Sequence, residues 1–167
     1  ALMARPFDLE LLEFSGPAFP LFDDVLSIRA AHCSAFSATG ANVMAYATGQ
    51  GGAMGTSVLE LFARDGTQQR TLGDPLMAQG FEIGPRGQFV ALSMPDMQIG
   101  TFDIWLYELE RDLSTRLTFD SESETLPVSS PDGQWLYYSQ DPYGPTAIYC
   151  HRVSGAGRPE AITAEIF

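Results

Sequence analysis

The apolar and polar positions of this chain follow a pattern that recurs three times. Each copy starts with a turn glycine, at Gly40, Gly87 and Gly133, and these glycines are 47 and 46 residues apart. A short apolar run stands directly behind each glycine, and a second apolar run follows further on. A third landmark closes each copy, at Leu72, Leu117 and Ile162, with neighbouring copies 45 residues apart. Three landmarks that recur at nearly the same spacing predict an internal repeat.

Each repeat is predicted to form four strands rather than helices. The runs are short, rich in β-branched and aromatic residues, and bounded by Gly, Pro, Asp and Ser, and Asp132-Gly133 is a tight-turn signal. The predicted inner strands are Ala30–Phe36, Gln79–Ile83 and Thr125–Ser129, and the second strands are Asn42–Ala47, Gln88–Ser93 and Gln134–Ser139. The third strands are Ser57–Ala63, Asp103–Leu109 and Ala147–Val153, and the outer strands are Gln69–Leu72, Thr115–Phe119 and Glu160–Thr163.

Four short strands in about 45 residues are the pattern of a β-propeller blade, so the predicted fold is all-β. The predicted blades cover residues 30–77, 78–124 and 125–167 of a single propeller domain, with a partial blade at 1–29. Within that partial blade, Phe7 to Phe22 is predicted to form two outer strands. Three blades make about half a ring, which would leave blade faces and strand edges open. We therefore expect either a homodimer that closes the ring or a piece of a longer chain.

The charge balance excludes two classes of partner. The chain of 167 residues has nine basic side chains, all arginine, against 21 acidic ones, for a net charge of −12. Nucleic acids and anionic membrane surfaces need a basic patch, so neither is an expected partner. No apolar stretch reaches the length of a membrane span.

The acidic residues are predicted to gather on one end of the propeller. In a four-stranded blade, the second-to-third connections and the links between blades emerge at the same end. The acids of these segments are Asp74, Asp96, Asp120, Glu122, Glu124 and Asp141, and the segments contain no Arg. Such an end suits a basic protein segment or a divalent cation such as Ca²⁺. The alternative is that an acidic protein simply carries its acids in loops.

Other candidate chemistry is weak. The pairs His32-Cys33 and Cys150-His151 supply metal-ligand atoms, but adjacent side chains on a strand point to opposite faces. Neither a metal site nor a Cys33–Cys150 disulfide is expected, and no nucleophile-elbow motif is present. Trp105 and Trp135 lie inside strand patterns and are expected to pack between blades.

Two segments resemble the repeats of TolB-type propellers. Ser130-Pro131-Asp132-Gly133 is similar to their S-P-D-G turn, in which Asp132 and Gly133 would be structural, and Gly40 and Gly87 keep the glycine without the Asp. The segment Asp103 to Tyr107, followed by Thr115-Arg116-Leu117-Thr118, is similar to their D-I-W…T-R-L-T segment. The likeness is greatest to the propellers attached to bacterial membrane serine/threonine kinases. The kinase catalytic motifs themselves are absent from the chain.

The resemblance implies a propeller module of usually six blades that binds a protein or peptide without catalysis or a cofactor. It also implies a bacterial protein with a periplasmic or other extracytoplasmic location. The charge favours a basic partner, and a homo-oligomer would complete the ring. The alternative function is the propeller portion of a larger enzyme, such as a prolyl-oligopeptidase-like hydrolase.

Overall fold

In the computed structural model every regular element of the described residues is a β-strand. The structure describes residues 2–23, 25, 27–28, 33–34, 36–40, 43–48, 57–63, 66–78, 80–140 and 146–163. Within these residues no helix is long and apolar enough to cross a bilayer.

The described residues contain eighteen strands. The first six are β1 (Leu2–Ala4), β2 (Phe7–Asp8), β3 (Glu13–Phe14), β4 (Phe19–Phe22), β5 (Ser27–Ile28) and β6 (Cys33–Ser34). The next four are β7 (Phe36–Ala38), β8 (Val43–Thr48), β9 (Ser57–Ala63) and β10 (Gln68–Leu76). Four more are β11 (Gly80–Ile83), β12 (Phe89–Pro95), β13 (Phe102–Glu108) and β14 (Leu113–Arg116), and the last are β15 (Glu124–Ser129), β16 (Trp135–Gln140), β17 (Ala147–Arg152) and β18 (Glu160–Ala161).

Twelve of these strands form three antiparallel four-stranded sheets. The first blade is β7–β10, the second is β11–β14 and the third is β15–β18, and within each blade every strand pairs with the next one in sequence. This simple meander is the strand order of a propeller blade. The observed strands of the second and third blades lie within two or three residues of the predicted ones.

The first blade departs from the expected boundaries. Its inner strand is β7 at Phe36–Ala38, not the predicted Ala30–Phe36, and Cys33–Ser34 pairs instead with Ser27–Ile28. Its outer strand β10 runs through Leu76, so the predicted connection that contains Asp74 is strand rather than loop. Pairing with β9 continues past the predicted end at Leu72, with a register shift between Leu72 and Leu76.

Among the described residues, two apolar cores lie between the blades. The first joins the first and second blades through Leu59, Leu61, Leu72, Val90 and Leu92, with Trp105 packed against it. The second joins the second and third blades and consists of Phe89, Ala91, Ile104, Leu106, Leu117, Leu136 and Tyr138. The two cores take alternate residues of β12, since Val90 and Leu92 face one neighbour and Phe89 and Ala91 the other. A central blade is therefore apolar on both faces.

The leading strands pair with each other and pack on the first blade. β1 pairs with β4, β2 pairs with β3, and Ser15 N–H donates to the Pro6 carbonyl between the two paired segments. The ring of Phe22 contacts those of Tyr46 and Phe62 in the first blade, with centroids 4.4 and 4.8 Å away. These strands begin at Leu2, five residues before the predicted start at Phe7.

The turns between inner and second strands contact one another from blade to blade. Gly87 and Gly133 have φ of 66° and 70°, a region that glycine adopts without strain, whereas the φ of Gly40 lies outside it. The Asp132 carboxylate accepts the Ser130 hydroxyl and the Gln134 N–H, at 2.6 and 3.0 Å. Both bonds lower the pKa of Asp132, and the bond from the Ser130 hydroxyl has the larger effect. Arg86 donates to the Asp132 carbonyl at 3.2 Å, so the turns of the second and third blades touch.

Candidate functional site

The loop between β12 and β13 lies at the end of the blades opposite these turns and is closed by Asp96. The Asp96 carboxylate accepts the Gln98 N–H at 2.8 Å, and the Asp96 backbone bonds to Thr101 and Gly100 at 2.7 and 2.8 Å. The bond from Gln98 is the main cause of the lowered pKa of Asp96. This short local network gives the loop a defined shape.

Arg116, the last residue of β14, ties this loop to the sheet. Its guanidinium donates to Asp96 Oδ2 at 2.9 Å, to Asp103 Oδ1 at 2.8 Å and to the Thr118 carbonyl at 2.8 Å. The same group lies over the ring of Phe119, 4.9 Å from its centroid. All three guanidinium nitrogens are thus engaged, so Arg116 is held in place and offers little to an external anion.

Asp103 is the buried member of this network. Its side chain is completely buried, and its Oδ2 atom has no hydrogen-bond partner among the residues that the structure describes. Desolvation raises the pKa of Asp103, although the hydrogen bond from Arg116 opposes this effect. One cation therefore serves two carboxylates, of which only Asp96 has access to solvent.

Glu124, the first residue of β15, lies beside this network at the junction of the second and third blades. Thr118 donates to its Oε2 at 3.0 Å and Gln140 to its Oε1 at 3.3 Å. The side chain is fully buried. Burial raises the pKa of Glu124 to about 7, with smaller contributions in the same direction from Asp120 and Asp103. Glu124 differs from the expectation of an exposed acidic face, because as a strand residue it is covered by the second blade.

Asp120 and Glu122 stand on the connection from β14 to β15 and are exposed. The hydroxyl of Ser123 in this connection accepts the Phe102 N–H at 3.2 Å, which fixes the connection against the start of β13. Asp96 and Asp120 are both close enough to Asp103 to raise its pKa.

Of the six predicted acids, the structure therefore brings Asp96, Asp120 and Glu124 together, with Glu122 on the same connection. The side chain of Asp74 and all of Asp141 lie outside the described residues.

Sequence reasoning missed Asp103, Arg116, Thr118 and Gln140 as members of this site. The end was predicted to lack arginine, but Arg116 reaches it from a strand rather than from a loop. The signal was present in the D-I-W…T-R-L-T segment: paired β13 and β14 place Trp105 opposite Arg116, so Asp103 lies near the end of the same strand pair. Recognising the pattern as a motif did not reveal that its polar residues form one network.

The remaining candidate groups have structural surroundings. Cys150 is a buried free thiol, and His151 is buried with its Nε2 atom 3.4 Å from the Gly157 carbonyl oxygen. His32 and the Cys33 side chain lie outside the described residues. In the described part of the chain, no three acidic, Cys or His side chains are placed to hold a metal ion. The Arg152 guanidinium lies over the Trp135 ring, with Arg152 Cζ 4.4 Å from the ring centroid.

Neighbouring inner strands are also joined by polar contacts. The Glu82 carboxylate accepts the hydroxyls of Ser37 and Ser129, at 2.9 and 3.3 Å. These three residues lie on the inner strands β7, β11 and β15, so the contacts link all three blades.

No protein-family model matches this chain, and no curated protein matches it. Several solved structures are similar to this chain. A TolB from Agrobacterium tumefaciens, described as putative, is 26% identical with a TM-score of 0.61, over 74% of this chain and 43% of that one. TolB from Acinetobacter baumannii is 14% identical with a TM-score of 0.64, over 94% of this chain and 36% of that one.

A third similar structure comes from a protease. The β-propeller domain of the Trilobed protease from Pyrococcus furiosus is 14% identical with a TM-score of 0.61, over 78% of this chain and 42% of that domain. This chain thus spans less than half the length of each of these structures. The meander sheets and these likenesses together show that the chain has a TolB-like β-propeller fold.

Proposed function

We propose that this chain is a non-catalytic propeller module that binds a basic protein segment or peptide at the Asp96–Glu122 end of its second blade. The observation that carries the proposal is the charge at that end. Asp120 and Glu122 are exposed, and within the described residues neither forms an ion pair. Arg116, whose guanidinium lies over the ring of the adjacent Phe119, is already engaged by two other carboxylates. An extracytoplasmic location is part of the proposal and rests on the resemblance to TolB-type repeats.

The test is a titration with a fluorescent basic peptide, read by anisotropy at two salt concentrations. We expect the affinity to fall with salt, and to fall again in the double variant Asp120→Asn plus Glu122→Gln, since an exposed ionic contact is screened by ions. The matched control is Glu10→Gln plus Glu110→Gln, which removes two exposed carboxylates at other turns. Equal losses in both double variants would point to the overall charge of the protein instead of this site.

A divalent cation such as Ca²⁺ is the second ligand proposed for Asp120 and Glu122, although within the described residues no three acidic side chains are placed together to hold it. Titration with Ca²⁺ alone, followed by calorimetry and by the shift in melting temperature, examines this proposal directly. Binding that depends on Asp120 and Glu122 would favour the cation, and an unchanged melting temperature at millimolar Ca²⁺ would reject it.

A protease-attached propeller is the alternative function, and the likeness to the Trilobed protease domain favours it. In that case the chain would serve a catalytic domain encoded next to it. Reading the coding sequence on either side separates the alternatives, because a neighbouring hydrolase domain would support this one.

We also propose that the module closes its ring by self-association. The β2–β3 hairpin has the same four-residue turn as the β13–β14 hairpin, with positive φ at Leu12 and at Asp112. In the complete second blade, Leu109 is 8% exposed and its N–H bonds to the Gln88 carbonyl at 3.1 Å. The matching residue Leu9 is 81% exposed. The hairpin therefore offers an apolar site that the second strand of a completed blade would cover.

The third blade offers a second open surface. Leu136 and Tyr138 face the second blade, so Val128, paired with Tyr137, must point to the other side, where it is 55% exposed. Sedimentation of the whole chain is expected to give a dimer that Leu9→Asp or Val128→Asp dissociates. The control is Leu113→Asp, at an exposed apolar position on a different hairpin. A monodisperse monomer at high micromolar concentration would reject self-association.

A further inference from the structure

The acidic end carries exposed apolar side chains as well as charges. Met97 and Ile99 lie on the closed loop between β12 and β13 and are 81% and 57% exposed. Phe119 lies on the connection to the third blade and is 72% exposed. Large apolar side chains exposed together on a polar surface mark interaction sites more often than isolated ones do.

The three side chains belong to one continuous surface. Arg116 joins their two segments, because the guanidinium that binds Asp96 also lies over the Phe119 ring. A second link is the hydrogen bond from Phe102 N–H to the Ser123 hydroxyl. We call Met97, Ile99 and Phe119 the apolar anchors. They are flanked by Asp120 and Glu122 on one segment and by Asp96 on the other.

The backbone beneath the anchors is already ordered. Met97 and Ile99 lie between Asp96 and Gly100, whose backbone bond closes the loop, and Gly100 has φ of 80°. The side chains of Met97 and Ile99 take no part in that closure. An ordered loop loses little conformational entropy when a partner binds, so contacts with its side chains contribute more fully to affinity.

Resting on the proposed function, we propose that this surface binds an amphipathic cationic peptide segment, in which apolar side chains alternate with Arg or Lys. The apolar side chains of that segment contact Met97, Ile99 and Phe119, and its cations lie against Asp120 and Glu122. Charge complementarity selects this occupant. A second copy of this chain would bring its own excess of carboxylates to the surface, and an anionic membrane would be repelled by the same acids.

The test compares two synthetic peptides of equal length and charge. One alternates Arg with Leu, and the other replaces every Leu by Ser. Affinities are measured by anisotropy with the whole chain and with the double variant Met97→Ser plus Ile99→Ser. We expect this variant to weaken the Arg/Leu peptide about tenfold, because two apolar contacts are lost, and to leave the Arg/Ser peptide unchanged. The control variant is Leu113→Ser plus Ile162→Ser, which removes two exposed apolar side chains elsewhere.

Each other outcome has a definite meaning. If both peptides bind but the Met97/Ile99 variant matches the control, the apolar anchors are rejected while the acidic site stands. If neither peptide binds, the proposed function fails as well. A change in sedimentation mass caused by the same variant would identify a second copy as the occupant and overturn the proposal. Far-UV circular dichroism and the melting temperature confirm that each variant is folded.

Discussion

Both junctions between blades have an apolar core, but the charged residues are exposed at one junction and buried at the other. At the first junction, Arg70 of the first blade pairs with Asp112 of the second at the rim, where both side chains are at least one-third exposed. At the second junction, Asp103 and Glu124 are completely buried, and Arg116 pairs with both Asp103 and Asp96. An ion pair in water contributes little, whereas a buried charge that loses its partner is costly. The second junction should therefore depend much more on its polar residues.

The largest expected effect is that of removing Arg116. Arg116→Met leaves the buried Asp103 carboxylate without its cation, which should lower the free energy of unfolding by about 3–5 kcal/mol. Arg70→Met, the matched change at the first junction, should cost about 1–2 kcal/mol, because its ion pair is solvated and one hydrogen bond to the Leu109 carbonyl is lost with it. Urea unfolding of both variants measures the difference. Equal losses would mean that the two junctions do not differ in this way.

The next effect is a dependence of stability on pH. The pKa of Glu124 in the folded chain, about 7, lies above its ordinary value of 4.5, so the folded state holds the proton more tightly. The proton on Glu124 therefore contributes to the free energy of unfolding. This contribution is fully present below pH 4.5, is lost as the pH rises to about 7, and is at most about 3 kcal/mol. Desolvation of Asp103 acts in the same direction.

Glu124→Gln should flatten the fall of unfolding free energy between pH 5 and 7, as measured by urea titrations at several pH values. Glu122→Gln, at an exposed position only two residues away, is the control and should keep the slope. A slope that survives in Glu124→Gln would assign the proton to another group at the junction.

A smaller effect is expected at the turn that connects the second and third blades. A β-carbon at Gly133 would lie 2.6 Å from Gln88 Nε2 and 3.3 Å from a Pro85 ring carbon, and the φ of 70° disfavours any other residue. Gly133→Ala should therefore cost about 1–3 kcal/mol. Gly155 has a similar φ of 74° with open space around it. Gly155→Ala should reveal the backbone cost alone, so identical melting temperatures for the two variants would exclude a contribution from the contact.

The smallest expected effect belongs to Ser93, whose buried hydroxyl donates to the Glu124 carbonyl at 2.8 Å. Ser93→Ala should destabilise the chain by about 1 kcal/mol, since one hydrogen bond across the junction is lost. Ser114→Ala, at an exposed position of β14, should have no measurable effect on thermal unfolding. A neutral Ser93→Ala would show that this bond does not join the blades energetically.

The repeat made most of the fold predictable. Second, third and outer strands of the last two blades follow from apolar runs bounded by turn residues, and both signals are local. The first blade was harder, because the apolar content upstream of Gly40 does not fix the register of its inner strand. Pairing of Cys33–Ser34 with Ser27–Ile28 depends on contacts that sequence spacing does not reveal.

The candidate site was predictable only in part. Loop position identified Asp96, Asp120 and Glu122, because connections at one end of a meander share that end. Whether an acid at the edge of a strand is buried depends on the neighbouring blade, so the burial of Glu124 could not be deduced. Likewise, Arg116 reaches the loop end because a long side chain crosses the end of its sheet, which a strand assignment alone does not predict.

The closure of the loop between β12 and β13 has a consequence for how this surface could diversify. Asp96 and Gly100 hold the hairpin together through backbone bonds and a single carboxylate, while the side chains of residues 97–99 are exposed and take no part in that closure. Those three positions can therefore change identity without loss of the blade. The loop acts as an exchangeable display segment, in which new recognition specificity could be selected, or engineered by a small library, on an unaltered scaffold.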